Sequence, residues 1–281
     1  MPLYQFTSPD FSGTLVLEVH SPDAQRAFFA ERGDPLLSIA WNRGPAQTAF
    51  IDEVPVQVPA GHLLALVVSQ TFRFERPADV VLWQFNRAFH CIVDHDHEVS
   101  CAGLLFYGSN GPLTLDPGGD GQRRLGLLLA VFEDEFTTRD DVQGEMLRVL
   151  LKRLIIICTR LARERLSLTD VPSVQLDVLR RFNLLVEQHY KLHHRVSDYA
   201  RLLNKSPKTL ANLSTQYRQQ SPLAVIRARI ALEARRLLLY TDRSAKQVAS
   251  ELGFDDPASF SRFFKTEVGS SVMEFRAAHR R

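Results

Sequence analysis

A pattern that occurs twice near the C-terminal end constrains this chain most. Its second copy, Ser244 to Arg276, reads SAKQVASELGFDDPASFSRFFKTEVGSSVMEFR. Ser244 with Gln247 three residues on is a capping box, which satisfies free amides at a helix start. Ala249 and Leu252 share a face of that helix, and Gly253 permits the tight turn that ends it. Asp256-Pro257 then supplies an N-cap and a first helical residue. Phe260, Phe263 and Phe264 give the second helix an apolar face, opposite Ser259, Ser261, Arg262 and Lys265. Two short helices joined by a glycine turn, the second basic and rich in hydroxyls, predict a helix-turn-helix over about 244–267.

The first copy spans about 196–217. Ala200 and Leu203 stand for Ala249 and Leu252, Ser206-Pro207 for Asp256-Pro257, and Leu210 and Leu213 for Phe260 and Phe263. Its turn is one residue shorter. Between the copies, Leu223, Ile226, Ile230, Leu237 and Leu238 form one stripe of a helix over about 222–240, begun by Ser221-Pro222. A helix of that length spans roughly 28 Å at 1.5 Å per residue. Successive major grooves on one face of B-DNA lie ~34 Å apart. A stiff spacer of this length suits two helices entering adjacent grooves of one duplex.

Over residues 196–276 the chain resembles the DNA-binding domain of the arabinose-regulator (AraC/XylS) class of transcription factors. The residues that carry the resemblance are Ala249, Leu252, Gly253, Phe254, Asp256, Phe260, Arg262, Phe264, Lys265, Gly269, Ser271, Phe275 and Arg276 at their family spacing. Two positions depart from it: Gln219 replaces a glycine before the spacer helix, and Val272 replaces a proline after Ser271. The resemblance implies DNA contacts from the first recognition helix by Lys205, Ser206, Lys208, Thr209, Asn212 and Gln216. From the second it implies contacts by Pro257, Ala258, Ser259, Ser261, Arg262 and Lys265. Arginine pairs with guanine O6/N7 and asparagine with adenine N6/N7, so Arg262 and Asn212 are the candidates for base reading. Lys205, Lys208 and Lys265 suit phosphates.

Charge falls in step with this division. Residues 1–180 carry 16 Lys+Arg and 23 Asp+Glu, a net of −7, while residues 181–281 carry 18 and 9, a net of +9. A basic terminal region favours approach to phosphates whatever the base sequence. The 281 residues suggest two domains. No apolar run reaches membrane-spanning length, and no basic stretch followed by an apolar core opens the chain. A cytoplasmic address is therefore expected, with no membrane partner. Cys91, Cys101 and Cys158 lack zinc spacing and read as reduced thiols.

Residues 1–130 read as β-structure. Short apolar runs at Leu15–Val19, Leu36–Trp41, Ala49–Ile51, Val54–Val58, Leu63–Val68, Val80–Phe85, Cys91–Val93, Ala102–Tyr107 and Leu113–Leu115 are separated by Pro, Gly, Asn and Asp. That spacing predicts a sandwich or small barrel. The stretch Val58-Pro59-Ala60-Gly61-His62-Leu63-Leu64 resembles the strand-turn-strand of cupin-like barrels. The fold class expected is thus α+β, a β-rich cupin-like domain followed by an all-α double helix-turn-helix domain. The boundaries are 1–166 for the first domain, ending in a helix at about 140–165, then a linker at 167–175 and the second domain at 176–281.

Within the 140–165 helix, Leu147, Leu151, Leu154, Cys158 and Leu161 alternate by four and three, a heptad seam that suits a homodimer. Burial inside one subunit is the competing reading of the same period. Trp41, Trp83, Phe85 and Phe89 are candidates to line an effector pocket, although aromatic strand residues more often build core. His90, His95, His97 and Glu98 sit in a stretch rich in potential metal ligands. They lack the cupin pattern, in which a histidine pair precedes a glutamate by several residues, and a hydrogen-bonded turn is the plainer reading. No metal or cofactor is expected. No nucleophile-and-base pattern or phosphate-cradling glycine loop is visible.

The sequence therefore reads as a sequence-specific transcriptional regulator, not an enzyme. Its expected partners are double-stranded promoter DNA, a second copy, a small-molecule effector and, for an activator, RNA polymerase. The rival reading is a cupin-type metal-dependent enzyme, or a metal or redox sensor barrel, tethered to DNA. A nonspecific chromosome-binding protein fits the modest overall charge poorly.

Overall fold

The computed structural model describes residues 3–8, 13–22, 25–26, 36–67, 70–86, 88–90, 105–106, 113–166, 173–218 and 221–279. The chain divides into two compact units, Met1–Thr169 and Asp170–Arg281.

The first unit contains two antiparallel sheets. Strands β1 (Leu3–Thr7), β2 (Thr14–Val19), β9 (Val80–Asn86), β4 (Leu36–Asn42), β7 (Leu63–Leu66) and β10 (Leu113–Leu115) form a six-stranded sheet in that order. Strands β3 (Gln25–Arg26), β8 (Phe72–Phe74), β5 (Gln47–Ile51) and β6 (Val54–Val58) form a four-stranded one. Two helices follow, α1 (Gly118–Thr137) and α2 (Gln143–Arg165), joined in a hairpin.

The central strands of the larger sheet are buried on both faces. Ala40, Leu64, Val80 and Leu82 on one face pack against Ala49, Ile51, Val58, Phe72 and Phe74 of the smaller sheet. Leu17, Ile39, Leu63 and Trp83 on the other face join Leu128, Phe132, Leu151 and Leu154 of the helical hairpin. Burial on both sides explains why β4, β7 and β9 read as continuous apolar runs instead of alternating ones. At the rim, Asn42 Nδ2 donates to Val58 O at 3.2 Å and to Pro59 O at 3.1 Å, and Trp41 Nε1 donates to Gly61 O at 3.0 Å. These bonds hold the turn between β6 and β7, where Gly61 has φ +77°.

Several expectations are corrected here. Leu147, Leu151, Leu154 and Cys158 are fully buried in the unit's own core, and Leu161 packs partly against it. The heptad seam is therefore filled by the sheet and α1, not by a second subunit. Burial raises the Cys158 thiol to about 12, which leaves it inert. Trp41, Trp83, Phe85 and Phe89 are packed core side chains. Trp83 lies against Phe132, Phe85 against Phe106 and His90, and Phe89 against Phe6. The helix expected at 140–165 has a 20-residue companion in α1. Leu105 is helical and Phe106 is in a turn, not in a strand; the expected strand at Cys91–Val93 lies outside the described residues. Strands β1, β3 and β8 were not anticipated.

The second unit is helical: α3 (Ser173–His189), α4 (Val196–Leu202), α5 (Pro207–Arg218), α6 (Pro222–Tyr240), α7 (Ala245–Glu251), α8 (Pro257–Val268) and α9 (Val272–His279). Helix α3 begins inside the stretch expected to be linker. Phe182, Tyr199, Leu210, Ile226, Ile230, Leu238, Val248, Leu252, Phe260 and Phe264 form one core with α6 running through it. No described helix is long and apolar enough to cross a membrane.

Candidate nucleic-acid interface

Helices α7 and α8 form the second helix-turn-helix. The Ser244–Gln247 capping box is complete: Ser244 Oγ accepts from Gln247 N, and Gln247 Oε1 accepts from Ser244 N. Gly253 turns the chain with φ +76°, and a Cβ there would stand 2.0 Å from the carbonyl oxygen of Lys191. Glycine is thus required twice, for its backbone angle and for the close approach. Asp256 caps α8 by accepting from Ser259 N at 2.7 Å, with Pro257 as the first helical residue. The hydroxyl and amide of Ser259, with a smaller contribution from Arg262, hold the Asp256 carboxyl below the usual aspartate range. Phe260 and Phe264 are buried, and Gly269 ends the helix at φ +84°. At α9, which begins with Val272, Ser271 Oγ accepts from Glu274 N and Glu274 Oε2 accepts from Ser271 N. This reciprocal cap starts the helix without proline.

Helices α4 and α5 repeat the arrangement with different residues. Asn204, at φ +52°, takes the left-handed position that Gly253 holds in the second copy. Asparagine tolerates that region better than most side chains. Ser206 Oγ accepts from Thr209 N at 3.0 Å, a hydroxyl cap where the second copy has a carboxylate. Leu210 is the buried counterpart of Phe260.

Helix α6 is the spacer, 19 residues long and capped by Ser221, whose Oγ accepts from Ala224 N. A buried ionic cluster pins it to α3. Arg229 donates to Glu187 through Nε at 2.6 Å and Nη2 at 3.0 Å, and to Glu233 at 3.0 Å, with its guanidinium 3.9 Å from the Tyr190 ring centre. Burial disfavours the Arg229 charge, but Glu187 and Glu233 outweigh it and raise its pKa. Burial likewise works against the Glu233 carboxylate, yet Arg229 and Arg236 hold its pKa low. Each ion here is therefore compensated, as burial demands. Arg276 of α9 donates to the carbonyls of Leu238 and Arg243 at the end of α6.

A second brace ties the loop after α3 to the second turn. Besides the approach of Lys191 O to Gly253, Lys191 Nζ pairs with Glu251 at 3.1 Å and Arg243 pairs with the same carboxylate. His194 Nε2 donates to Leu252 O at 2.9 Å, and its ring packs on Phe254 with centroids 4.9 Å apart.

The expected contact residues distribute as follows. Lys205, Ser206, Lys208, Thr209, Asn212 and Gln216 are exposed along the start and outer face of α5. Pro257, Ala258, Ser261, Arg262 and Lys265 are exposed on α8. Ser259 is half-buried, and its hydroxyl donates to Asp256 Oδ2 at 2.6 Å while accepting from Arg262 Nη2 at 3.0 Å. It belongs to the cap and props the arginine. Ser261 Oγ donates back to Pro257 O. Sequence reasoning missed Lys191, His194, Asn204 and the Glu187–Arg229–Glu233 cluster. The offset of 49 residues that aligns Ala200 with Ala249 also aligns Asn204 with Gly253, a signal available in the sequence. Of the suggested metal ligands, His90 is buried against Phe85, while His95, His97 and Glu98 lie outside the described residues. Among the described residues no group of three or more His, Cys, Asp or Glu could hold a metal ion.

Residues 199–278 match the family model described as a helix-turn-helix domain. The chain is 31% identical over 98 residues to the HTH-type transcriptional regulator ExsA of Pseudomonas aeruginosa, a match covering 35% of each protein. The chain thus spans about a third of the length of this curated relative. Among solved structures, the DNA-binding domain of AdpA in complex with a target DNA is 27% identical, with coverage of 35% of this chain and 89% of that one and a TM-score of 0.33. ToxT from Vibrio cholerae is 14% identical, with coverage of 100% and 98% and a TM-score of 0.41. The resemblance of the C-terminal region to AraC-type regulators is borne out.

Proposed function

We propose that this chain is a sequence-specific DNA-binding transcriptional regulator, whose α5 and α8 enter neighbouring major grooves of one duplex. Two helix-turn-helix motifs on one spacer helix, each with an exposed polar recognition face in a net-basic region, carry the reading. The spacer α6 covers roughly 28 Å at 1.5 Å per residue, near the groove repeat. The match to a helix-turn-helix family and the likeness to a transcriptional regulator support it. On this reading the chain is not an enzyme. The β-rich unit responds to a small-molecule effector by shifting the population of DNA-competent arrangements. Two chains pair on promoter DNA and, in an activator, engage RNA polymerase.

The test starts from sites selected out of a random DNA pool. Protection should extend over two successive grooves. Arg262→Ala should weaken binding to selected sites by about 1–3 kcal/mol, roughly 5- to 150-fold, with a much smaller effect on random duplex. Equal loss on both would reduce Arg262 to a phosphate contact, and protection confined to one groove would refute paired reading.

A further inference from the structure

The exposed arginine of α8 is tied to the start of its own helix. Asp256, Ser259 and Arg262 follow one another at intervals of three, so their side chains lie along one face. They are joined end to end. Asp256 Oδ1 accepts from Ser259 N at 2.7 Å, and Oδ2 accepts from the Ser259 hydroxyl at 2.6 Å. The same hydroxyl accepts from Arg262 Nη2 at 3.0 Å. Its proton is committed to the carboxylate, so its lone pairs are turned towards the guanidinium. Hydrogen bonds to ionised groups are stronger than neutral ones, and this hydroxyl has one at each end. The neighbouring hydroxyls of Ser261 and Thr266 instead donate to the backbone carbonyls of Pro257 and Arg262, at 2.8 Å and 2.9 Å.

The first motif carries matching residue types. Thr209 and Asn212 stand three and six positions after the Ser206 cap, and Thr209 Oγ1 lies 2.8 Å from Ser206 Oγ. Both copies thus place a hydroxyl between the cap and the candidate for base reading.

We propose that Ser259 is a positioning residue for base reading, one that holds the Arg262 side chain in place on α8 before DNA arrives. The proposal rests on the DNA-reading function above. Arginine has many rotamers, and ordering such a side chain on binding lowers affinity. Ser259 imposes part of that order in the free protein. It takes one N–H of Nη2 and leaves the other, with Nη1, to bridge guanine O6 and N7. Loss of the hydroxyl lowers discrimination at the base pair that Arg262 reads. Attraction to phosphates carries no sequence information and changes less.

The experiment is fluorescence anisotropy of the intact chain on selected duplexes and on versions with each base pair exchanged in turn. The pair whose exchange matters to wild type and ceases to matter to Arg262→Ala is the one Arg262 reads. At that pair Ser259→Ala should lower the preference roughly 2- to 12-fold, with preferences at other pairs kept. The variant retains the Ser259 amide that caps α8, so circular dichroism should match wild type. Ser259→Thr, which restores the hydroxyl as in Thr209, should keep the preference. Added to Arg262→Ala, Ser259→Ala should change nothing further at that pair. Equal loss at every pair, a further loss in the double variant, or a threonine that behaves as alanine would overturn the proposal. A normal response to Arg262→Ala with full preference in Ser259→Ala would overturn it alone. Full preference at every pair in Arg262→Ala would overturn base reading by Arg262 as well.

Discussion

The two helix-turn-helix motifs share a backbone plan but solve it with different residues. Both place an alanine and a leucine in the core, Ala200 and Leu203 or Ala249 and Leu252, and both set a proline at the first turn of the recognition helix. Those positions are dictated by geometry: a small residue where helices cross, and a helix start that needs no amide. The left-handed residue, the cap and the core beneath the recognition helix differ. The second motif has Gly253, Asp256 and Phe260 where the first has Asn204, Ser206 and Leu210. Asn204 and Gly253 are both exposed, and the second turn lies close against Lys191 and His194. Both motifs are built into the unit's core, the first through Tyr199 packed on Phe182 of α3 and the second also through its turn against the loop after α3.

The sharpest way to break this contrast is to put the same side chain at both left-handed positions. Gly253→Ala adds strain at positive φ and drives a Cβ into a backbone oxygen, and should destabilise the second unit by about 3–4 kcal/mol. Asn204→Ala meets only the backbone strain and should cost about 1 kcal/mol. Both tryptophans, Trp41 and Trp83, lie in the first unit. Tryptophan fluorescence therefore follows the first unit alone, while far-ultraviolet circular dichroism in urea follows both units and is weighted towards the helical second one. Gly253→Ala should shift the helical transition and leave the fluorescence transition in place. Equal costs at the two sites would show that the close approach to Lys191 has no energetic weight.

A smaller effect tests the brace. His194→Ala removes a hydrogen bond to Leu252 O and a ring contact with Phe254, together worth about 1–2 kcal/mol. Amide exchange should quicken in α7 and at the second turn while α4 and α5 keep their protection. Uniform quickening of both motifs would mean that they open as one body and that the difference between them is only chemical.

What the sequence revealed follows the same division between local and distant causes. Both helix pairs, the caps at Ser221, Ser244 and Asp256, and the turn at Gly253 are encoded within a few residues, so they could be read directly. The Lys191–Glu251 and His194–Leu252 contacts join residues about sixty positions apart, and no local pattern announces them. In the first unit, continuous apolar runs located β4, β7 and β9 because those strands are buried on both faces. The Phe72–Phe74 strand is three residues long with Arg73 between, too short for its alternation to stand out. The seam on α2 gave the right period and the wrong partner, since a stripe of Leu147, Leu151 and Leu154 is satisfied equally by a sheet or by another chain. The burial of all three in one core with the sheet and α1 distinguishes the two.

The least of the expected effects concerns the caps, and it turns on sign. Asp256 has its folded pKa depressed by hydrogen bonds from Ser259. The folded state therefore binds the proton more weakly than the unfolded chain, whose aspartates titrate near ~3.9. The stability this contributes is complete above that value and is lost as pH falls through the lower folded value. Ser206, the corresponding cap, carries no titratable group and should contribute evenly across the same range. Asp256→Ser makes the second cap like the first. The difference in urea midpoint between wild type and Asp256→Ser, read from circular dichroism, should be constant from pH 5 to 7 and shrink below about pH 4. Other carboxylates titrate in both proteins and cancel in the difference. A gap that stays constant into strong acid would mean that the Asp256 carboxylate stabilises α8 no better than a hydroxyl, leaving the two motifs distinguished by turn and core alone.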